Sequence, residues 1–152
     1  MRRKDRERNS VFAFEVFKDC EYATLATINT DGTPHCIPIS PVVIDNAIYF
    51  HCASEGQKSD NIRENNNICI SGVSYTNLVP EKFTTEYKSA VAVGKCEIIS
   101  DEAEKLVALQ AICEKYAKNN INNFDEQIKK SLNNTCICRI DIDKITGKAN
   151  LI

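Results

Sequence analysis

The chain lacks C-x-x-C cysteine pairs, long apolar runs and any surplus of positive charge, and each absence removes a class of function. None of its eight cysteines stands in a C-x-x-C arrangement. Zinc sites and redox dithiols rely on such close pairs, so the spacing argues against both. There are two histidines, His35 and His51, with no carboxylate at ligand spacing, and no metal centre is predicted. The chain has no G-x-G-x-x-G loop, no G-x-S-x-G elbow and no G-x-x-x-x-G-K-[ST] loop, which removes the recognisable nicotinamide, hydrolase-elbow and P-loop readings. A net charge of −2 gives no electrostatic case for nucleic acid or for an anionic membrane.

The opening Met1–Arg8 is strongly charged, but no apolar stretch of signal-peptide length follows it. The run Val11–Phe17 is too short and too interrupted for a signal peptide or a membrane span. A cytoplasmic protein is expected. The eight cysteines, most of them well separated, point the same way, since free thiols persist in a reducing compartment. Most of them sit in apolar strand or helix patterns, where a thiol behaves as a small hydrophobe. A length of 152 residues with 43% apolar and 26% charged residues fits one soluble domain with its own core.

The local patterns are mostly β. A short helix is predicted over Asn9–Asp19, capped by Asn9 or Ser10, with Phe12, Val16 and Phe17 turned inward. Two β-rich runs follow, Tyr22–Asn29 and Thr33–Val43, joined by the hairpin signal Thr30-Asp31-Gly32. Asp45-Asn46 makes the next turn, and Ala47–Cys52 the third strand. Ser54 and Gln57 read as a capping box for a polar helix over Lys58–Asn65. Asn67–Val73 and Tyr87–Ile99 read as the fourth and fifth strands. Asp101–Lys118 is the clearest helix, opened by Asp101 and Glu104, with Ala103, Leu106, Leu109, Cys113 and Tyr116 on one face. A further turn or two over Phe124–Ser131 precedes a last strand, Thr135–Asp143, whose alternation predicts a sheet wet on one side. This order lacks the strict β–α alternation of a parallel sheet. The predicted fold is mainly β: a small antiparallel barrel with flanking helices, in one unit over residues 1–152.

Chemistry concentrates in Tyr49–Lys58. A buried-type strand ends there and a helix begins within a few residues. The first turn of a helix carries unpaired N–H groups and the positive end of the dipole, a setting that holds phosphate. Gly56 permits close backbone approach, Ser54 offers a hydroxyl and Lys58 a point charge. The same residues also describe a capped surface helix with a solvated lysine. His51 reads either as a hydrogen-bonded core histidine or as a functional one, and His35 as a surface residue.

Several segments together resemble the nitroimidazole-resistance branch of the pyridoxamine-phosphate-oxidase-like family. They are Met1–Glu7, Tyr22–Thr27, Asp31–Pro34 with Cys36–Ile39, Ile48–His51 through Gly56-Gln57-Lys58 to Asp60-Asn61-Ile62, Phe83–Gly94, and Ile140–Ile142 with Thr146–Lys148. They run in order over nearly the whole chain. The resemblance implies a split β-barrel homodimer with FMN at the subunit interface. It implies that His35, Cys36, Ile37 and Pro38 run along the flavin ring and that His51 and Cys52 end a strand beside it. It places Gly56, Gln57 and Lys58 on the phosphate, and Tyr87, Lys88 and Ser89 near the cofactor, including from the partner chain. In that branch the histidine matching His51 is linked with the reaction site, so His51 is the catalytic candidate.

The sequence departs from relatives that oxidise pyridoxamine phosphate. Those carry an Arg at the start of the second strand and Ser-Arg-Lys at the helix start; here the positions hold His35 or Cys36 and Gly56-Gln57-Lys58. A substrate that brings its own phosphate needs more positive charge, which argues against vitamin B6 oxidation. The expected function is an FMN-dependent oxidoreductase reducing small substrates, nitro-aromatics among them. Two other classes stay open: a module that holds FMN or another planar cofactor such as haem or a deazaflavin without turnover, and a thiol sensor using Cys136 or Cys138.

Overall fold

Two residues, Ser40 and Pro41, separate strands that lie at opposite edges of one sheet. The computed structural model describes residues 2–132 and 135–152. Its strands are β1 (Glu7–Arg8), β2 (Ala23–Ile28), β3 (Pro34–Ile39), β4 (Val42–Ile44), β5 (Ala47–Ala53), β6 (Asn67–Val79), β7 (Thr84–Ile98) and β8 (Thr135–Asn150). The helices are α1 (Ser10–Asp19), α2 (Gln57–Glu64), α3 (Glu102–Tyr116) and α4 (Phe124–Ser131). The strands form one antiparallel sheet in the order β3-β2-β6-β7-β8-β5-β4, with β1 added to β8. In a flat sheet, six gaps of about 4.8 Å would hold β3 and β4 about 29 Å apart. Three Cα steps of about 3.8 Å let Ile39 and Val42 be at most about 11 Å apart. The sheet therefore curls until its edges nearly meet. The edges do not pair, and the result is a split barrel.

The barrel closes around Leu25, Ile48, Phe50, Ile70 and Ile140, all fully buried, and α1 inserts Ala13, Val16 and Phe17 into the same cluster, joined by Cys20 just after it. A second cluster lies outside the barrel wall, where Ala108, Leu109 and Ile112 of α3 cover Val42, Tyr49 and Ile137. Burial of large apolar side chains on both faces of β5 and β8 supplies the main driving force for this arrangement. No helix among the described residues is long and apolar enough to cross a membrane.

The predicted elements are present, with informative differences. Asn9 caps α1 as expected, its Oδ1 accepting from Phe12 N at 3.0 Å. The second β-rich run divides at Ser40-Pro41, where proline has no N–H for a ladder. The capping box at Ser54 and Gln57 does not form. Gly56 is the N-cap of α2 at φ +127°, with no side-chain cap, and the Gln57 amide turns inward to Asn29 and Asn61. Asp101 caps α3, but the Glu104 carboxylate meets Tyr49 and Arg139 instead of reaching back. The buried face of α3 is rotated from the predicted one, with Ala103 and Tyr116 exposed. β6, β7 and β8 are longer than predicted, and the added part of β6 is largely exposed, from Tyr75 to Leu78. The wet-on-one-side reading of β8 holds at Asp141 and Asp143, but Ile137 is buried under α3.

Gly94 lies at the register shift between β7 and β8, where an added Cβ would collide with the Asp141 carbonyl. Gly94→Ala should cost about 2–4 kcal/mol, at the upper end for a single substitution. A urea unfolding curve should show a lower midpoint with an unchanged slope.

Candidate functional site

The end of β5 and the start of α2 form one corner of the molecule. Along β5, Ile48, Phe50 and Cys52 face the barrel core, whereas Tyr49 and His51 face outward, as strand alternation requires. Tyr49 is covered by α3, and His51, beyond that cover, is exposed. Protein packed around the imidazole, and secondarily the Lys58 ammonium, hold the His51 pKa below its ordinary value. The ring is therefore a neutral donor and acceptor at physiological pH. The Cys52 thiol lies on the other face, 3.6 Å from Cys138 Sγ in the core. Its contact with Cys138 and its burial push its pKa far upward, so it packs as a hydrophobe and only its backbone borders the corner.

Gly56 turns the chain into α2 with its positive φ and leaves open space where a Cβ would stand. The turn is braced from within the helix. Ser59 Oγ donates to Gly56 O at 2.9 Å, and Arg63 Nη2 donates to Ser54 O at 2.7 Å. The N–H groups of Gln57, Lys58 and Ser59 have no intrahelical partner, and no side chain caps them. Lys58 is half-buried with Nζ 5.5 Å from the centroid of the Phe50 ring. Among the described residues, no carboxylate lies within ion-pair distance of it. An uncapped first turn, an open glycine and an unpaired ammonium form an anion cradle. The residues present fit a phosphate group, and His51 lies beside them.

A carboxamide network centred on buried Asn61 fixes this corner to β2 and β3. Asn61 is fully buried; its Nδ2 donates to Thr27 Oγ1 at 3.0 Å and to Asn29 Oδ1 at 2.8 Å. Gln57 Nε2 donates to Asn61 Oδ1 at 2.9 Å and to Asn29 Oδ1 at 3.3 Å. Asn29 Nδ2 continues to Thr33 Oγ1 at 3.0 Å in the β2–β3 hairpin. Thr27 pairs with His35 across the strands, so the start of β3 is tied to the start of α2. On β3, Cys36 and Pro38 are exposed on the outer face, while Ile37 packs against the core and His35 is half-buried. The sequence alone gives Asn61, Asn29 and Thr27 no role at this corner. Their signal was faint: a threonine at an inward position of β2, and an asparagine one helical turn after Gln57.

Tyr87, Lys88 and Ser89 stand elsewhere. His51 lies opposite Ile137 on β8, whereas Tyr87 lies opposite Asn150. About 43 Å of strand contour separates those positions at ~3.3 Å per residue. Within one chain the three residues do not converge with His51 and Lys58.

The family model for pyridoxamine 5'-phosphate oxidase matches residues 13–149. The chain belongs to that family. A search of curated proteins finds no match. Among solved structures, the oxidase-family chain resembles a candidate 5-nitroimidazole antibiotic resistance protein from Bacteroides thetaiotaomicron VPI-5482, at 24% identity and TM-score 0.77, over 93% of this chain and 84% of that one. It also resembles a conserved hypothetical protein from Mycobacterium tuberculosis, at 18% identity and TM-score 0.83, over 97% and 88% of the two chains. A FAD and heme binding protein from Mycobacterium smegmatis matches at 18% identity and TM-score 0.77, over 93% and 71%. At these identities the likeness shows the shared split-barrel fold.

An NMR titration should place the His51 midpoint below 6.5. Lys58→Ala should raise that midpoint only part of the way back, because the protein packed around the ring is the larger cause. Full return to the ordinary value, or no change at all, would contradict this division.

Proposed function

We propose that the chain is an FMN-dependent oxidoreductase that reduces small substrates, nitro-aromatics among them, as a cytoplasmic homodimer with FMN at the subunit interface. The observation that carries this reading is the anion cradle of Gly56, Lys58 and the first turn of α2 beside the neutral, exposed imidazole of His51. The bound flavin would supply the electron-transfer chemistry. Lys58 and the α2 N–H groups would hold its phosphate, and the tie between Asn29, Gln57 and Asn61 would keep that cradle in register with β3. Cys36 and Pro38 offer an outer shelf for a planar ring, and Tyr87, Lys88 and Ser89 would approach it from a second copy. His51 would orient substrate and transfer a proton at its imidazole nitrogen.

The names of the neighbouring structures support the two parts of the reading, flavin binding and an association with nitroimidazoles. Exposed Val73, Val91 and Val93 on the outer face of the sheet, together with exposed Leu78 and Phe83, support association with a second copy. A holder of flavin without turnover is the second reading, favoured by a neighbour whose name states binding and no reaction.

The deciding experiment is reduction of the flavin-loaded protein by NADH or NADPH, followed by reoxidation with a nitro-aromatic compound. Bleaching and recovery over repeated cycles is the expected outcome; a flavin that neither donor bleaches supports the holder. Lys58→Ala should weaken FMN binding by about 1.5–3 kcal/mol and riboflavin far less, since riboflavin has no phosphate. His51→Ala should keep flavin and fold but lose most turnover, with His51→Gln recovering part of it. A His51→Ala variant with a lowered melting temperature and full turnover would assign the histidine a structural role only.

A further inference from the structure

The helix that carries the anion cradle is fastened to the barrel differently from its neighbours. The buried residues of α1 are Ala13, Val16 and Phe17, and those of α3 are Ala108, Leu109 and Ile112, all apolar. The buried residues of α2 are Ser59, Asn61 and Ile62. Ser59 is turned back onto its own helix at Gly56 O, so of the three only Asn61 and Ile62 serve the contact with the barrel. Apolar packing has no direction, and a single isoleucine does not fix a helix along its axis. The hydrogen bonds of Asn61 do, because they have preferred lengths and angles.

Those bonds lead to one strand pair. Asn61 Nδ2 donates to Thr27 Oγ1 and Asn29 Oδ1, and Asn61 Oδ1 accepts from Gln57 Nε2. Thr27 Oγ1 in turn donates to His35 O on β3 at 3.4 Å. Asn29 is locked into the hairpin: its carbonyl accepts from Gly32 N at 2.8 Å and its N–H donates to Thr33 O at 2.8 Å. Asp31 Oδ1 holds Thr33 by its N–H at 2.9 Å and its hydroxyl at 2.6 Å. β3 stands at the edge of the sheet and pairs with β2, so whatever fixes the hairpin fixes β3. Gln57 is the first residue of α2, and its N–H belongs to the cradle. One side chain thereby sets the distance between the cradle and the outer face of β3.

The fold does not need a carboxamide at this position. With an apolar side chain at 61, the Thr27 hydroxyl keeps His35 O, Gln57 Nε2 keeps Asn29 Oδ1 at 3.3 Å, and Asn29 Nδ2 keeps Thr33 Oγ1. No buried group is orphaned, and under that condition exchanging a buried polar group for an apolar one is near neutral or stabilising. What is lost is direction, since α2 would then rest on β2 through apolar contact alone. A buried asparagine whose loss the fold tolerates marks a requirement for position rather than for stability.

We propose that Asn61 is a positioning residue that makes the α2 cradle and the β3 shelf act as one site, and so selects a phosphorylated flavin over an unphosphorylated one. This role presupposes the phosphate at α2 and the ring on β3. A ligand whose phosphate and ring are covalently joined gains from both ends only when their separation matches that of the two surfaces. Riboflavin and inorganic phosphate each use one end and are indifferent to that separation.

The test titrates the full-length chain and its Asn61→Leu variant with FMN, riboflavin and inorganic phosphate. Quenching of flavin fluorescence reads the first two, and the Lys58 amide signal of ¹⁵N-labelled protein reads the third. In the wild type FMN should bind more tightly than riboflavin. Asn61→Leu should weaken FMN about tenfold, because the two ends no longer engage together. Riboflavin and phosphate should keep their affinities, and the melting temperature should be equal or higher. Asn29→Ala, at a half-buried hairpin position, removes a second anchor of the same network and should give the same split in binding. FMN affinity retained in every folded variant would overturn the positioning role and leave the cradle standing, as would a loss shared by all three ligands with a lowered melting temperature. A wild type that binds FMN no more tightly than riboflavin would overturn the cradle reading, and the role of Asn61 with it.

Discussion

The link Ser40-Pro41 is the constraint on which the rest of the molecule depends. It joins the two edges of the sheet, so every other strand must curve to let that join be made. The seam is held from outside by α3. Pro41 is fully buried, and its carbonyl accepts from Lys115 Nζ at 2.8 Å and from the Tyr116 hydroxyl at 2.8 Å. Lys115 Nζ also donates to Phe17 O at 3.1 Å, which ties the end of α1 to the same seam. Burial lowers the Lys115 pKa, but two carbonyl acceptors satisfy its ammonium, so the cost of enclosing it is partly offset.

Curvature has a direct consequence for the candidate site. It brings the end of β2 against α2, where Asn61 joins Thr27 and Asn29 in a setting removed from water. A carboxamide there has no solvent to replace a lost partner, so leaving one of its groups unpaired costs about 1–3 kcal/mol. The network therefore specifies one position for the first turn of α2. The anion cradle and the outer face of β3 are thereby parts of one connected structure, although Lys58 and Cys36 are far apart in sequence.

Much of this was legible from local pattern. The helix cap at Asn9, the Asp31-Gly32 hairpin and the strand-to-helix passage from Phe50 to Lys58 all follow from chemistry within a few residues. The order of the elements reads as a small antiparallel barrel with flanking helices, and the family resemblance adds that the barrel is split. What escaped depends on contacts between distant segments. The role of Gln57 as a link to Asn29 is set by packing of α2 on β2, and local capping rules point elsewhere. Likewise, the buried face of α3 is chosen by the surface of β4 and β5 that it covers, and a helix apolar on more than one side does not declare that choice.

The central claim is that this barrel holds FMN. The most direct measurement is the absorption spectrum of the purified protein after dialysis, followed by identification of the chromophore released on heating. A flavin spectrum that survives dialysis, with FMN released at one molecule per chain, is the predicted result. A haem spectrum, or a colourless protein that takes up no added FMN, would contradict the account.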